Sequence, residues 1–187
     1  MGGAAVTRIR LAEADDAEAI ARIQIAAWRV AYAGFLPGSF LDRLDVGQRA
    51  DQWRTRIGAA MRPGSPTFVA LDDRGSVRGF VHTGPTRDDD LDAAGRAEIY
   101  TVYVDPDAWR QGIGSALLRA VDDFWSPSEV RELVLWAFED NADGRAFYER
   151  LGWHADGARQ VDDFGTAHPV EVRYRRPVPR ADAGAGA

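Results

Sequence analysis

Short β-branched and aromatic runs alternate along the chain with stretches whose apolar residues recur every three or four positions. That alternation predicts a mixed α/β domain. Arg8 to Leu11 reads as a first strand. Asp15 or Asp16 then stands where an N-cap is needed, ahead of a helix with Ala19, Ile20, Ile23, Ala27 and Val30 or Ala31 on one face. Gly34 and Pro37 end it, and a second helical region runs from about Ser39 to Met61 with a break near Gly47. Residues 67–71, the turn Asp72-Asp73-Arg74-Gly75 and residues 77–83 form a hairpin pattern. Arg87 to Gly95 is acidic and turn-rich, so a loop is expected there.

A strand from Ala97 to Val104 should stop at Asp105-Pro106, because proline cannot continue a central ladder. Gly112-Ile113-Gly114 then opens a helix with Ile113, Ala116, Leu117, Val121 and Phe124 on one face, and Ser126-Pro127 closes it. Leu133 to Phe138 suits a buried strand. A last helix from Ala142 to Leu151 ends at Gly152, and two more strands are expected over 153–161 and 170–175. The predicted order is βαα-ββ-βα-βα-ββ. Residues 1–7 and the tail 177–187 carry little to bury and are expected to be disordered, which leaves a single domain over 8–176.

Composition narrows the chemistry. All 23 basic residues among the 187 are arginine, and there is no cysteine. Schiff-base catalysis, a phosphate-binding P-loop lysine, thiol nucleophiles and disulfides are therefore excluded. The net charge of −6 repels a phosphate backbone, which argues against nucleic acid and favours a cationic partner. No basic-then-apolar leader and no run of about 18 apolar residues is present, so a cytoplasmic protein away from membranes is expected. His82, His154 and His168 show no metal-ligand spacing, and no metal is expected.

The stretch from Tyr100 to Leu118 carries the most chemistry. A strand, a glycine-bearing turn and a helix start bring unpaired backbone N–H groups and the positive end of a helix dipole to one point. Such a point holds anions, and Arg110 can add a charge-assisted bond at its rim. The same glycines would also serve a tight loop packed on a sheet. Leu117 stands where a dinucleotide fingerprint needs Gly or Ala, and a P-loop needs the missing lysine.

Val104-Asp105-Pro106 followed by Arg110-Gln111-Gly112-Ile113-Gly114-Ser115-Ala116-Leu117-Leu118 resembles the acetyl-coenzyme A motif of the GCN5-related N-acetyltransferases (GNAT). Asn141 through Phe147-Tyr148-Glu149-Arg150-Leu151-Gly152-Trp153 resembles that family's next motif. Ile9, Ala12, Asp15, Ile20, Trp28 and Tyr32 resemble its first strand and helix more loosely, so the likeness spans residues 8 to 175. It implies an α/β (α+β) GNAT-like fold, with a central mixed, mostly antiparallel sheet flanked by helices and acetyl-CoA in the cleft beside the fourth strand. By that resemblance, backbone groups of Val102, Tyr103 and Val104 meet the pantetheine arm and acetyl carbonyl. The N–H groups of Arg110, Gln111, Gly112, Ile113, Gly114 and Ser115 cradle the pyrophosphate, Asn141 holds the cofactor arm or caps its helix, and Tyr148 lies near the sulfur. Two positions depart from the pattern: Trp109 replaces a common Gln or Arg, and Gly144 replaces a common alanine, weakening its helix by about 0.5–1 kcal/mol.

The implied reaction moves an acetyl group to a primary amine of a small molecule or of a protein or peptide, by direct attack through a tetrahedral intermediate. An amine with pKa near 10.4 must lose a proton first, a cost of about 4 kcal/mol near neutral pH. Glu98 is the expected general base, since strand alternation places it on the face of Tyr100, Val102 and Val104; Glu139 and Asp140 come second. Tyr148 is the expected general acid. Trp28 and Tyr32, four apart on one helical face, line the acceptor cleft or pack in the core. Asp88, Asp89, Asp90 and Asp92, with Asp162 and Asp163, attract a cationic amine or form solvated surface. A domain of the same fold that binds acyl-CoA without turnover is the main rival reading, and a nicotinamide-dependent oxidoreductase a more distant one. The resemblance also allows a homodimer.

Overall fold

The computed structural model describes residues 8–59, 64–91 and 94–180. The termini 1–7 and 181–187 that were expected to be disordered lie outside the described residues. One seven-stranded sheet runs through the molecule in the order β1-β2-β3-β4-β5-β7-β6. Its strands are β1 (Arg8–Leu11), β2 (Thr67–Leu71), β3 (Val77–Pro85), β4 (Arg96–Val104), β5 (Glu132–Phe138), β6 (His154–Val161) and β7 (Val170–Pro177). Every neighbouring pair is antiparallel except β4 and β5, so the sheet is mixed and mostly antiparallel.

Alternation along the strands divides the core into two layers. On one face Ala70, Val81, Ala97 and Ile99 pack against Ile113, Leu117 and Val121 of α4 (Ile113–Trp125). On the other, Val69, Leu71 and Phe80 meet Ile20 and Ile23 of α1 (Ala17–Ala31) and Trp53 of α3 (Val46–Ala59). Between α1 and α3 lies the short α2 (Gly38–Asp42), and α5 (Ala142–Arg150) follows β5. Fully buried Trp53 donates its indole N–H to Gln24 Oε1 at 2.8 Å, so its polar atom is satisfied inside the core. No helix among the described residues is long and apolar enough to cross a membrane.

Three local expectations gain detail or are corrected. Asp16 precedes α1 but does not cap it: its carboxylate binds Arg10 at 2.6 and 2.9 Å and the Glu13 N–H at 2.8 Å. The second helical region breaks before Gly47, with α2 ending at Asp42. Order also continues past residue 176. Pro177 lies in β7, Val178 is buried with its N–H on the Arg131 carbonyl, and Arg180 bonds the carbonyls of Ser126, Ser128 and Val130.

Candidate active site

β4 and β5 pair only through Arg96–Ile99 against Glu132–Leu135. Beyond that point β4 continues to Val104 on β3 alone, while β5 continues to Phe138 on β7. The centre of the sheet therefore splays open, and among the described residues the edge of Tyr100–Val104 facing away from β3 has no strand partner. Thr101, Val102, Tyr103 and Val104 are correspondingly half-buried. An unpaired edge at this position can bind an extended chain through backbone hydrogen bonds.

The turn that follows is held rigidly. Asp105 accepts from the Asp107 N–H at 3.1 Å and pairs with Arg78 at 3.0 Å. The Trp109 indole donates to the Val104 carbonyl at 2.8 Å, which is the use made of the residue that departs from the family pattern. Arg110 has φ 61°, the one positive φ of a non-glycine among the described residues, and Gly112 precedes α4 at φ 81°. No N–H from Arg110 to Ser115 has an acceptor among the described residues; the helical ladder starts with Ala116 N–H on the Gly112 carbonyl at 3.0 Å. These donors stand at the positive end of α4, a site suited to an anion. A Cβ on Gly114 would come within 2.9 Å of Phe147 Cζ, so glycine there lets α4 approach α5 closely.

At the start of α5, Asn141 Oδ1 accepts the Gly144 N–H at 3.1 Å. A Cβ on Gly144 would lie 2.4 Å from Asn141 Nδ2, which explains why glycine replaces alanine. One turn on, the Tyr148 ring packs near Phe147, Trp153 and Tyr174. Burial, with a smaller push from Tyr103, drives the Tyr148 phenol well above its ordinary pKa. An open strand edge, a row of free N–H groups and a helix-capping asparagine fit a ligand with an extended arm and a diphosphate.

The model of the Acetyltransferase (GNAT) family matches residues 23–153. The chain belongs to this family. It is 31% identical over 133 residues to the uncharacterised N-acetyltransferase YuaI of Bacillus subtilis (strain 168), covering 71% of this chain and 72% of the relative. The fold is shared with the PaiA N-acetyltransferase of Thermoplasma acidophilum in complex with coenzyme A, at TM-score 0.69 and 17% identity over 91% of this chain and 98% of that one. It is shared equally with yncA, a putative acetyltransferase from Salmonella typhimurium with acetyl-CoA, at TM-score 0.69 and 22% identity over 96% and 98%.

Trp28 and Tyr32 join an aromatic cluster with Phe40, Phe138, Phe164 and Tyr103 on the α1 side of the splay, where Tyr32 is buried and Trp28 half-buried. The Tyr32 and Tyr103 hydroxyls are 3.2 Å apart. Glu98 is on β4 as expected, but not on the face of Val102 and Val104. The register of β3 against β4 shifts from His82↔Thr101 to Thr83↔Ile99, inserting Tyr100 as a bulge and reversing the alternation. Ala97 and Ile99 consequently share the α4-side core with Val102 and Val104, and Glu98 points the other way. It is 2% exposed, and Arg87 binds both its oxygens, at 2.5 and 3.2 Å from the guanidinium and 3.0 Å from the backbone N–H. Glu139 is held by Arg159 at 2.6 and 2.7 Å, and Asp140 is exposed.

The acidic loop is not a free attractant. Asp88 and Asp90 are bound by the buried Arg173 of β7, which also binds Asp156, and Asp88 accepts from the Trp136 indole at 3.0 Å. Asp92 lies outside the described residues. Sequence reasoning missed Arg87, Arg173 and Glu171. The signal for Glu171 was present: Val172 and Tyr174 alternate with it as core residues, which puts Glu171 on the opposite face of β7.

Proposed function

We propose that this chain is an acetyl-CoA-dependent N-acetyltransferase that acetylates a primary amine of a small molecule or peptide. The observation that carries this reading is the unpaired edge of β4 leading directly into the row of free N–H groups from Arg110 to Ser115. Acetyl-CoA, when bound, supplies the activated acetyl thioester. Backbone groups of Val102, Tyr103 and Val104 extend the sheet along the pantetheine arm. The N–H groups of Arg110, Gln111, Gly112, Ile113, Gly114 and Ser115 hold the diphosphate, with Arg110 at its rim. Asn141 serves twice, since Oδ1 caps α5 and Nδ2 remains a donor for the cofactor arm.

Tyr148 keeps its proton because burial raises its phenol, so it acts as a hydrogen-bond donor to the departing sulfur. The amine attacks directly. With no cysteine in the chain, no thiol is present to carry the acetyl group between donor and acceptor. Trp28 and Tyr32 form the acceptor side of the splay. Glu98 organises Arg87 and the β4 bulge and does not take the proton, because both its oxygens are committed.

Release of free thiol from acetyl-CoA, measured across a panel of primary amines, tests the proposal. Amine-dependent release is expected. Thermal stabilisation by acetyl-CoA with no thiol release from any amine would assign the chain to acyl-CoA binding without turnover.

A further inference from the structure

We propose that Glu171 receives the ammonium group of the acceptor and takes its proton, and that the acceptor is a primary amine carried on an apolar, ring-sized body seated against Trp28, Phe40 and Phe164. This inference rests on the N-acetyltransferase reading and specifies its acceptor.

Glu171 stands opposite Phe138 in the β5–β7 ladder and opposite Gln160 in the β6–β7 ladder. Cross-strand partners have Cβ atoms about 4.5–5.5 Å apart, so the carboxylate lies beside the Phe138 ring. Phe138 in turn meets Tyr32 at 5.1 Å between ring centroids, and Tyr32 touches the Tyr103 hydroxyl on β4. Glu171 is thereby placed across the splay from the strand edge that would hold the acetyl group. Its charge helps to raise the phenols of both Tyr32 and Tyr103, behind burial as the main cause.

Only one carboxylate oxygen is engaged: Oε2 accepts from Gln160 Nε2 at 2.6 Å, and Oε1 accepts no hydrogen bond from any described residue. This differs from Glu98, Glu139 and Asp88, whose carboxylates arginine side chains hold. The charged groups that bear on Glu171 are Asp162 and Glu98, which disfavour its ionisation, and Arg87, which favours it while bound to Glu98. Burial is the largest influence and raises its pKa from the ordinary glutamate value. A half-buried carboxylate nearer to neutrality is a better base than a solvated one, and while ionised it attracts a cation. The half-buried rings of Trp28, Phe40 and Phe164, with centroids 6.1 Å and 4.9 Å apart in sequence along the cluster, provide apolar surface for the rest of the acceptor.

The proton balance closes. The ammonium N–H bond breaks and its proton passes to Glu171 Oε1; the nitrogen lone pair then adds to the acetyl carbon to form the N–C bond, and collapse of the tetrahedral adduct breaks the C–S bond. A second nitrogen proton ends on the thiol, and Glu171 returns its own to solvent.

The test uses 2-phenylethylamine as acceptor, with spermidine and the amine of aspartate as controls, and compares the wild type with Glu171→Gln. Expected results are turnover of 2-phenylethylamine in preference to both controls and a kcat/KM about 100-fold lower in the variant. The acidic limb of the wild-type pH profile should disappear, the KM for acetyl-CoA should stay within twofold, and the variant should melt no lower than the wild type. A wild type that binds acetyl-CoA but prefers either control, or a variant that keeps kcat/KM within threefold or retains the acidic limb, overturns the inference while leaving the enzyme class standing. A wild type that fails to bind acetyl-CoA, or that binds it and releases no thiol with any amine, overturns the N-acetyltransferase reading and this inference with it.

Discussion

Glu98 shows how a single side chain separates structure from chemistry. Its position on the strand was legible in the sequence, but its face was not, because of the bulge at Tyr100, nor was its partner, because Arg87 reaches it from a loop whose path no periodicity describes. The pair is asymmetric: Glu98 is 2% exposed, whereas two-thirds of the Arg87 side chain is open to solvent. Arg87→Ala should therefore destabilise the fold by about 2 kcal/mol, more than a surface pair and less than a fully buried one, as read from urea unfolding. Glu98→Gln should keep kcat within about threefold; a 100-fold loss would return the base to Glu98. Tyr148 was legible from its motif alone, and Tyr148→Phe should lower kcat by about 100-fold with the KM for acetyl-CoA unchanged. Full activity in that variant would remove its role.

Elements were more legible than residues. The order βαα-ββ-βα-βα-ββ follows from apolar spacing and from glycine and proline stops, and all seven strands lie where those signals put them. What periodicity could not reveal is the bulge at Tyr100, since a single inserted residue leaves the run from Ala97 to Val104 equally strand-like on both sides. Gly144 illustrates the opposite case, a departure visible in sequence whose cause is spatial. Alanine there would gain about 0.5–1 kcal/mol of helix propensity but displace the Asn141 side chain, losing a cap worth about 1 kcal/mol. Gly144→Ala should thus leave the melting temperature nearly unchanged while weakening coenzyme A binding, which calorimetry would show. Gly112→Ala forces a left-handed conformation on a residue with a Cβ and should cost about 1–2 kcal/mol in thermal unfolding.

At the scale of the whole molecule, the proposed acceptor side draws on α1, α2, β4, β5, β7 and the loop before β7. Their meeting depends on the sheet order, which places β7 between β5 and β6. Local pattern carries no information about that order, so the sequence could not bring Glu171 to the proposed acceptor side, although it did give its face of the strand. Another buried group gives the protein a pH dependence. His82 bonds Thr67 Oγ1 at 3.0 Å, and burial lowers its pKa to about 4 from 6.5. The unfolded chain then binds a proton below pH 6.5 that the folded chain refuses, so stability falls as pH drops from 6.5 to about 4. The gap corresponds to about 3 kcal/mol at the acid end. A His82→Leu variant should lose less stability over that range than the wild type, and equal losses would contradict this account.

The central claim is that an open strand edge and the N–H groups following it hold the cofactor while arginine and backbone replace the missing lysine. A crystal structure of the chain with coenzyme A tests this most directly. The diphosphate is expected on the N–H groups of residues 110–115, the pantetheine arm paired with Val102 to Val104, and the thiol beside the Tyr148 hydroxyl. A diphosphate bound elsewhere, with the edge of β4 left unpaired, would contradict it.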